Sequence, residues 1–178
     1  MNYFELYGMP VLMKVEPAGL KTKFFELSRK YHPDYFLAAP QEEKKAAGEK
    51  HADVNEGFRI FSDPDETIKY VLQLNGLWHD EEKYEAGPGF MEEIAGFEEQ
   101  LKKPGTAADE EKLTEIEMQL KDLVKKNHED VAEIIEYYQE GISSEKELLQ
   151  VKEYYYRKKY LQALLDRIFQ MRNIASQF

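Results

Sequence analysis

The sequence predicts an all-α protein of two helical modules, and three observations carry that prediction. Strand signals are nearly absent, since no run of β-branched residues alternates with polar ones. Apolar residues instead recur at helical spacing along almost the whole chain. Between two sets of such stripes lies a polar stretch, "LWHDEEKYEAGPG" at 77–89. Charge changes there as well: residues 1–76 hold 10 Lys/Arg and 12 Asp/Glu, whereas 77–178 hold 14 and 23.

Taken in order, the first helix is short, with Asn2 as N-cap, Glu5 as its box partner and Gly8 as terminator. Pro17 suits a first helical position, and Leu20, Phe24, Leu27 and Tyr31 then form one apolar stripe. Lys23, Arg29 and Lys30 lie on its flank and back, with Lys21 on the other side. Pro33 ends this helix, because the residue before a proline is pushed out of the α region. A third helix from about Gln41 carries Ala47, His51, Val54, Phe58 and Phe61, and is long enough to pack antiparallel on the second. "SDPDE" at 62–66 opens a fourth, with Ile68, Val71, Leu72 and Leu74, which stops at Asn75-Gly76.

Beyond the polar stretch three more helices are expected. The first carries Phe90, Ile94, Phe97 and Leu101 and breaks at Pro104-Gly105. A second, long helix is expected from Leu113 through Val131, Ile134 and Tyr138 to Gly141. The third opens at Ser144 with Glu147 as box partner and carries Val151, Tyr155, Leu161, Leu165 and Ile168. Burying each Leu or Ile of these stripes contributes roughly 1.5–3 kcal/mol, so an antiparallel three-helix bundle is expected.

Composition narrows the function. At 178 residues, 42% apolar and 33% charged, the chain has a globular rather than a disordered balance. It has no cysteine, which excludes disulfides, thiolate metal sites and cysteine nucleophiles. No apolar run approaches the roughly 20 residues that span a bilayer, and "MNYFELYG" has no secretory pattern. A cytoplasmic location without a membrane partner is the expectation. A net charge of −11 argues against nucleic acid. The four histidines, His32, His51, His79 and His128, show no i, i+3 or i, i+4 pairing, so neither a metal nor another cofactor is expected.

One tripeptide stands out. "RKYHPDYF" at 29–36 sets His32, Pro33 and Asp34 directly after the basic, amphipathic second helix. By itself the triplet reads as a helix-ending turn, half of a metal site, an acid–base pair, or a stiff loop for a partner. "VNEGFRIFSDP" at 54–64 closes the following helix. The two motifs, one long helix apart, resemble the J-domain of the DnaJ co-chaperones, with Gly57 where Ala is usual and Phe61 where Leu is usual.

That resemblance implies a chain that is not an enzyme and that stimulates the ATPase of a DnaK-class chaperone through the loop. Pro33 fixes the backbone, Asp34 accepts from an arginine of the chaperone, and His32 supplies a second contact. Tyr31 adjoins the loop, and Lys21, Lys23, Arg29 and Lys30 steer a transient, salt-sensitive encounter. A Lys often follows the triplet in the family; Tyr35 stands there here.

The remainder is similar to the HscB type, the co-chaperones of iron–sulfur cluster assembly. "YFELYGMP" at 3–10, "YHPDYF" at 31–36 and "YVLQLNG" at 70–76 match that family's pattern, and no Gly/Phe-rich segment follows. Some eukaryotic relatives carry a Cys-rich metal extension, so a bacterial-type form is expected. The resemblance implies a J-domain over 1–76, a linker over 77–88 and a scaffold-binding bundle over 89–178. Partners would be an HscA-class chaperone and an IscU-type iron–sulfur scaffold. Phe90, Met91, Ile94 and Glu98 of "FMEEIAGFEE", with Tyr156 of the last helix, match the scaffold patch, although Phe90 and Ile94 also lie on a core stripe. Two other readings stay open: a J-domain adaptor for another client, and a non-catalytic helical scaffold protein.

Overall fold

In the computed structural model, which describes residues 1–177, the described residues form eight α-helices and two 3₁₀ turns, with no strand among them. The helices are α1 (Tyr3–Leu6), α2 (Pro17–Lys30), α3 (Gln41–Ser62), α4 (Pro64–Leu74), α5 (Pro88–Lys102), α6 (Glu110–Glu129), α7 (Ala132–Glu136) and α8 (Glu145–Ala175). The chain divides into two compact units. One comprises Met1–Trp78 and Ile135–Ser143; the other comprises His79–Ile134 and the chain from Ser144 onward.

In the first unit, α2 and α3 form a hairpin, and α1 and α4 pack on α3. Local chemistry sets the ends. Asn2 and Glu5 close a reciprocal capping box on α1. The Asp63 carboxylate accepts the N–H groups of Asp65 and Glu66, with Pro64 at the first position of α4. Gly76 follows α4 at φ +70°, a conformation that side chains with a Cβ resist. Phe4 is fully buried, its ring 4.4 Å from Phe61 and 5.9 Å from Tyr70.

Gly57 shows why a small residue sits in this helix. A Cβ there would lie 2.8 Å from Tyr7 Cε2 and 3.4 Å from Tyr3 Cβ. Tyr7 cannot easily retreat: it is buried, its hydroxyl donates to the Val54 carbonyl at 2.6 Å, and Phe61 meets it edge-on. Burial pushes that hydroxyl up to about 12, so it remains a donor at neutral pH. Gly57→Ala would gain roughly 1 kcal/mol of helix propensity and lose about 1–3 kcal/mol to overpacking. A net fall in the urea midpoint is therefore expected, and a rise would show that Tyr7 has room to move.

The second unit is a bundle in which α8 packs against both α5 and α6. Its core comprises Phe90, Ile94, Phe97 and Leu101 of α5, Leu113, Ile116 and Leu120 of α6, and Leu161, Leu164 and Ile168 of α8. Because α8 is covered from two sides, its apolar residues do not keep to one stripe.

Two expectations need revision. The long helix drawn from Leu113 to Tyr138 stops at Glu129, turns at Asp130 and Val131, and resumes only as the short α7. Asn127 and Asp130 are weak helix formers, and the Asn127 amide is drawn off to donate to the Tyr154 carbonyl at 3.2 Å. Residues 135–143 group with the first unit instead, where Tyr138 is buried and its hydroxyl accepts from Asn75 Nδ2 at 3.2 Å.

The stretch read as a linker is coil, yet it is held fast from Glu82 onward. Glu82 accepts from the buried Lys152 at 2.6 and 2.8 Å, and Ala86 is buried in the bundle core.

Candidate functional site

The tip of the α2–α3 hairpin is built by its own sequence. Helix α2 ends at Lys30, and His32 is extended, at φ −63° and ψ 131°, as a residue before proline prefers. Pro33 opens a 3₁₀ turn, Pro33–Phe36, in which the Tyr35 N–H donates to the His32 carbonyl at 3.0 Å. His32 Nδ1 accepts from the Asp34 N–H at 3.3 Å. An accepting Nδ1 leaves the proton of the neutral ring on Nε2. Helix α3 supports the ring from behind, with His51 meeting it edge-on at 5.6 Å. Pro33 and Asp34 project into solvent. The Asp34 side chain is 78% exposed, and among the described residues the one group within ion-pair range of it is His32 Nδ1, 3.5 Å away, which would pair with it only as the imidazolium.

The expected cations divide into two kinds. Lys21, Arg29 and Lys30 are exposed. Lys23 is engaged instead: its ammonium donates to the carbonyls of Tyr7 at 2.9 Å and Gly8 at 3.4 Å, completing the C-terminal end of α1. Its charge serves the fold more than any encounter, a tie that nothing in the local pattern announces. Tyr31 lies half-buried between two ammonium groups, with Lys30 at 5.3 Å and Lys50 at 5.4 Å from its ring centre.

The candidate residues of the bundle fall into layers. Phe90 and Ile94 are core residues. Met91 is half-buried against that core, and Glu98 is exposed. Phe90 also meets α8, with Arg157 5.0 Å over its ring and Tyr160 edge-on at 6.2 Å.

Tyr156, matched above to the scaffold patch, is not an open aromatic surface. Instead, the ring of Tyr84 stacks on it at 4.3 Å with 15° between planes. The strap that brings Tyr84 there is held by Glu153, which accepts from the Tyr84 hydroxyl, from the Gly87 N–H at 2.8 Å and from Arg157 Nε at 2.9 Å. Polar residues of a loop give no periodic signal, so the sequence conceals this attachment.

Burial works against ionising Glu153, but these hydrogen bonds outweigh it and hold the carboxyl below its ordinary value of 4.5. A folded-state value below the unfolded one stabilises the attachment above about pH 4.5, and the benefit is lost as the pH falls through the lower folded value. In an NMR titration, the Gly87 amide is therefore expected to stay protected down to that range and to lose protection below it. Loss of protection near neutrality would contradict this account.

A helical hairpin with an exposed His-Pro-Asp tip, followed in the chain by a helical bundle, defines the class of J-domain proteins. No family model matches the chain. Among curated relatives, 77 residues are 43% identical to the co-chaperone HscB homologue of Shewanella amazonensis, covering 43% of this chain and 44% of that protein. A longer, overlapping alignment of 112 residues is 30% identical to the co-chaperone HscB homologue of Vibrio cholerae, covering 62% and 66%. The matched stretch thus spans about half to two thirds of these relatives' length. Among solved structures, the chaperone HscB of Vibrio cholerae aligns over 98% of this chain and 99% of its own, at 21% identity and a TM-score of 0.69. Human co-chaperone HscB aligns over 96% and 81%, at 24% identity and a TM-score of 0.70. At such identities the solved structures speak for the fold, and the curated relatives add the sequence likeness. The chain is therefore similar to the HscB co-chaperones in sequence and shares their fold.

Proposed function

We propose that this protein is a co-chaperone that docks its His-Pro-Asp tip on an ATP-bound DnaK- or HscA-class chaperone, favours the hydrolysis-competent state, and presents an IscU-type iron–sulfur scaffold. The proposal assigns residues 1–76 to the chaperone and 89–178 to the scaffold, and places the protein in the cytoplasm. The exposed, preorganised tip is the observation that supports it best. Asp34 is available to an arginine of the chaperone, and a buried or internally neutralised Asp34 would have argued against the reading. Pro33 lowers the ordering entropy of docking.

Speeding hydrolysis a thousandfold requires binding the activated state better by about 4 kcal/mol. The chain supplies that difference by contact alone, because the hydrolytic groups belong to the partner, and so it is not itself an enzyme. For the scaffold, Glu98 is exposed and Met91 is half-buried on the core that holds Phe90 and Ile94, while Tyr156 would be reached beside the Tyr84 ring that stacks on it.

The test is ATP hydrolysis by a purified HscA-class chaperone, measured with the chain, with an IscU-type scaffold, and with both. Synergy between the two is expected. Stimulation by the chain that scaffold leaves unchanged would limit the function to J-domain activity, and no stimulation at all would end the proposal.

A further inference from the structure

Two large aromatic side chains beside the tip have no part in the core. Phe25 lies one residue off the buried stripe of α2 and is 59% exposed, and Tyr35, on the 3₁₀ turn, is 69% exposed. Single exposed apolar residues are ordinary on a protein surface, but these two converge. Together with Glu26, Ser28, Arg29, His32 and Asp34 they line one groove of about 970 Å³. The ring of Tyr35 meets His32 edge-on at 6.3 Å, and Phe25 sits in the exposed i, i+4, i+8 row Lys21–Phe25–Arg29. Aromatic walls with one cation, Arg29, and two carboxylates, Glu26 and Asp34, among the lining groups suit one kind of occupant. It is an apolar side chain on a folded protein, flanked by a carboxylate that pairs with Arg29 and an arginine that pairs with Asp34.

We propose that Phe25 and Tyr35 form an aromatic jaw that takes an apolar side chain of the chaperone, so that docking is carried by apolar burial alongside charge. The inference rests on the co-chaperone reading and specifies the chemistry of the partner surface. It also revises the salt-sensitive encounter expected from the basic helix. Contacts between exposed charges are screened as salt rises, whereas apolar burial is not. Tyr35, standing where a lysine is common in the resembled family, exchanges a screened contact for an unscreened one.

The test is titration of the full chain onto a purified DnaK-class chaperone with ATP, at 50 and at 500 mM KCl (about 14 and 4 Å of screening length). The unmodified chain is expected to change its Kd by less than about threefold between the two salts. Phe25→Ser with Tyr35→Ser is expected to weaken binding about tenfold at both salts. Phe25→Leu should bind like the parent, which separates loss of apolar contact from damage to α2. Tyr35→Lys should keep low-salt binding and steepen the salt dependence. If the double serine variant binds like the parent while His32→Gln fails to bind or stimulate, the jaw is wrong and the co-chaperone reading stands. If His32→Gln also behaves like the parent, both fall.

Discussion

His32→Gln is expected to remove nearly all stimulation of a DnaK-class ATPase, a loss of about a hundredfold or more, while leaving the helical content unchanged. The size follows from the mechanism: an effect of about a thousandfold rests on about 4 kcal/mol of differential binding concentrated in a few contacts. Gln matches the imidazole in length but not in ring shape, and it cannot keep the edge-on contact with His51. Its carbonyl can still accept the Asp34 N–H, so the turn itself should survive, with a stability change of at most about 1 kcal/mol. The informative comparison is single-turnover hydrolysis beside a urea melt of the same preparation. Lost stimulation with an unchanged melt places the defect in the contact; parent-like stimulation would take His32 out of the docking surface.

Much of this arrangement is legible in the sequence because local chemistry and periodicity agree. The capping box at Asn2 and Glu5, proline at the first positions of α2 and α4, Asp63 as a cap, and the glycine stops at 76 and 105 each mark a boundary that the structure keeps. The tip is legible because three residue types with unlike constraints stand together between two amphipathic helices.

What periodicity does not reveal is which body an apolar residue joins. Tyr138 continues the stripe of α6 by spacing, yet it is buried in the first unit beside Asn75. Nor does spacing show which surface residues hold a loop. Nothing in their spacing marks Glu153 and Lys152, yet they are what fix the strap over Tyr156. Both misses are long-range matters, decided by partners some 60 to 70 residues away.

Phe4→Ala is expected to destabilise the first unit by about 3–5 kcal/mol, the largest single-residue effect on stability anticipated here. A four-residue helix cannot persist in water unaided, since even good helix formers need about 12–15 residues. Helix α1 therefore depends on what it buries, and Phe4 is its one fully buried side chain, set against Phe61 and Tyr70. Truncation leaves a cavity between α3 and α4 and loosens Tyr3, whose N–H donates to the Tyr70 hydroxyl at 3.0 Å.

The effect reaches the tip through two ties, the hydrogen bond from Tyr7 to the Val54 carbonyl on α3 and the grip of Lys23 on the carbonyls of Tyr7 and Gly8. Typical stability is about 0.05–0.15 kcal/mol per residue, so a unit of this size holds only about 4–13 kcal/mol and stands to lose about a quarter or more. Hydrogen exchange resolved by residue checks this directly. Amides of α2, α3 and α4 are expected to exchange about a hundredfold or more faster, with those of α6 and α8 little changed. Equal acceleration in both units would mean that the chain unfolds as one cooperative body. The assignment of separate tasks to separate modules would then lose its energetic basis, since a partner gripping one unit would stabilise the other to the same degree.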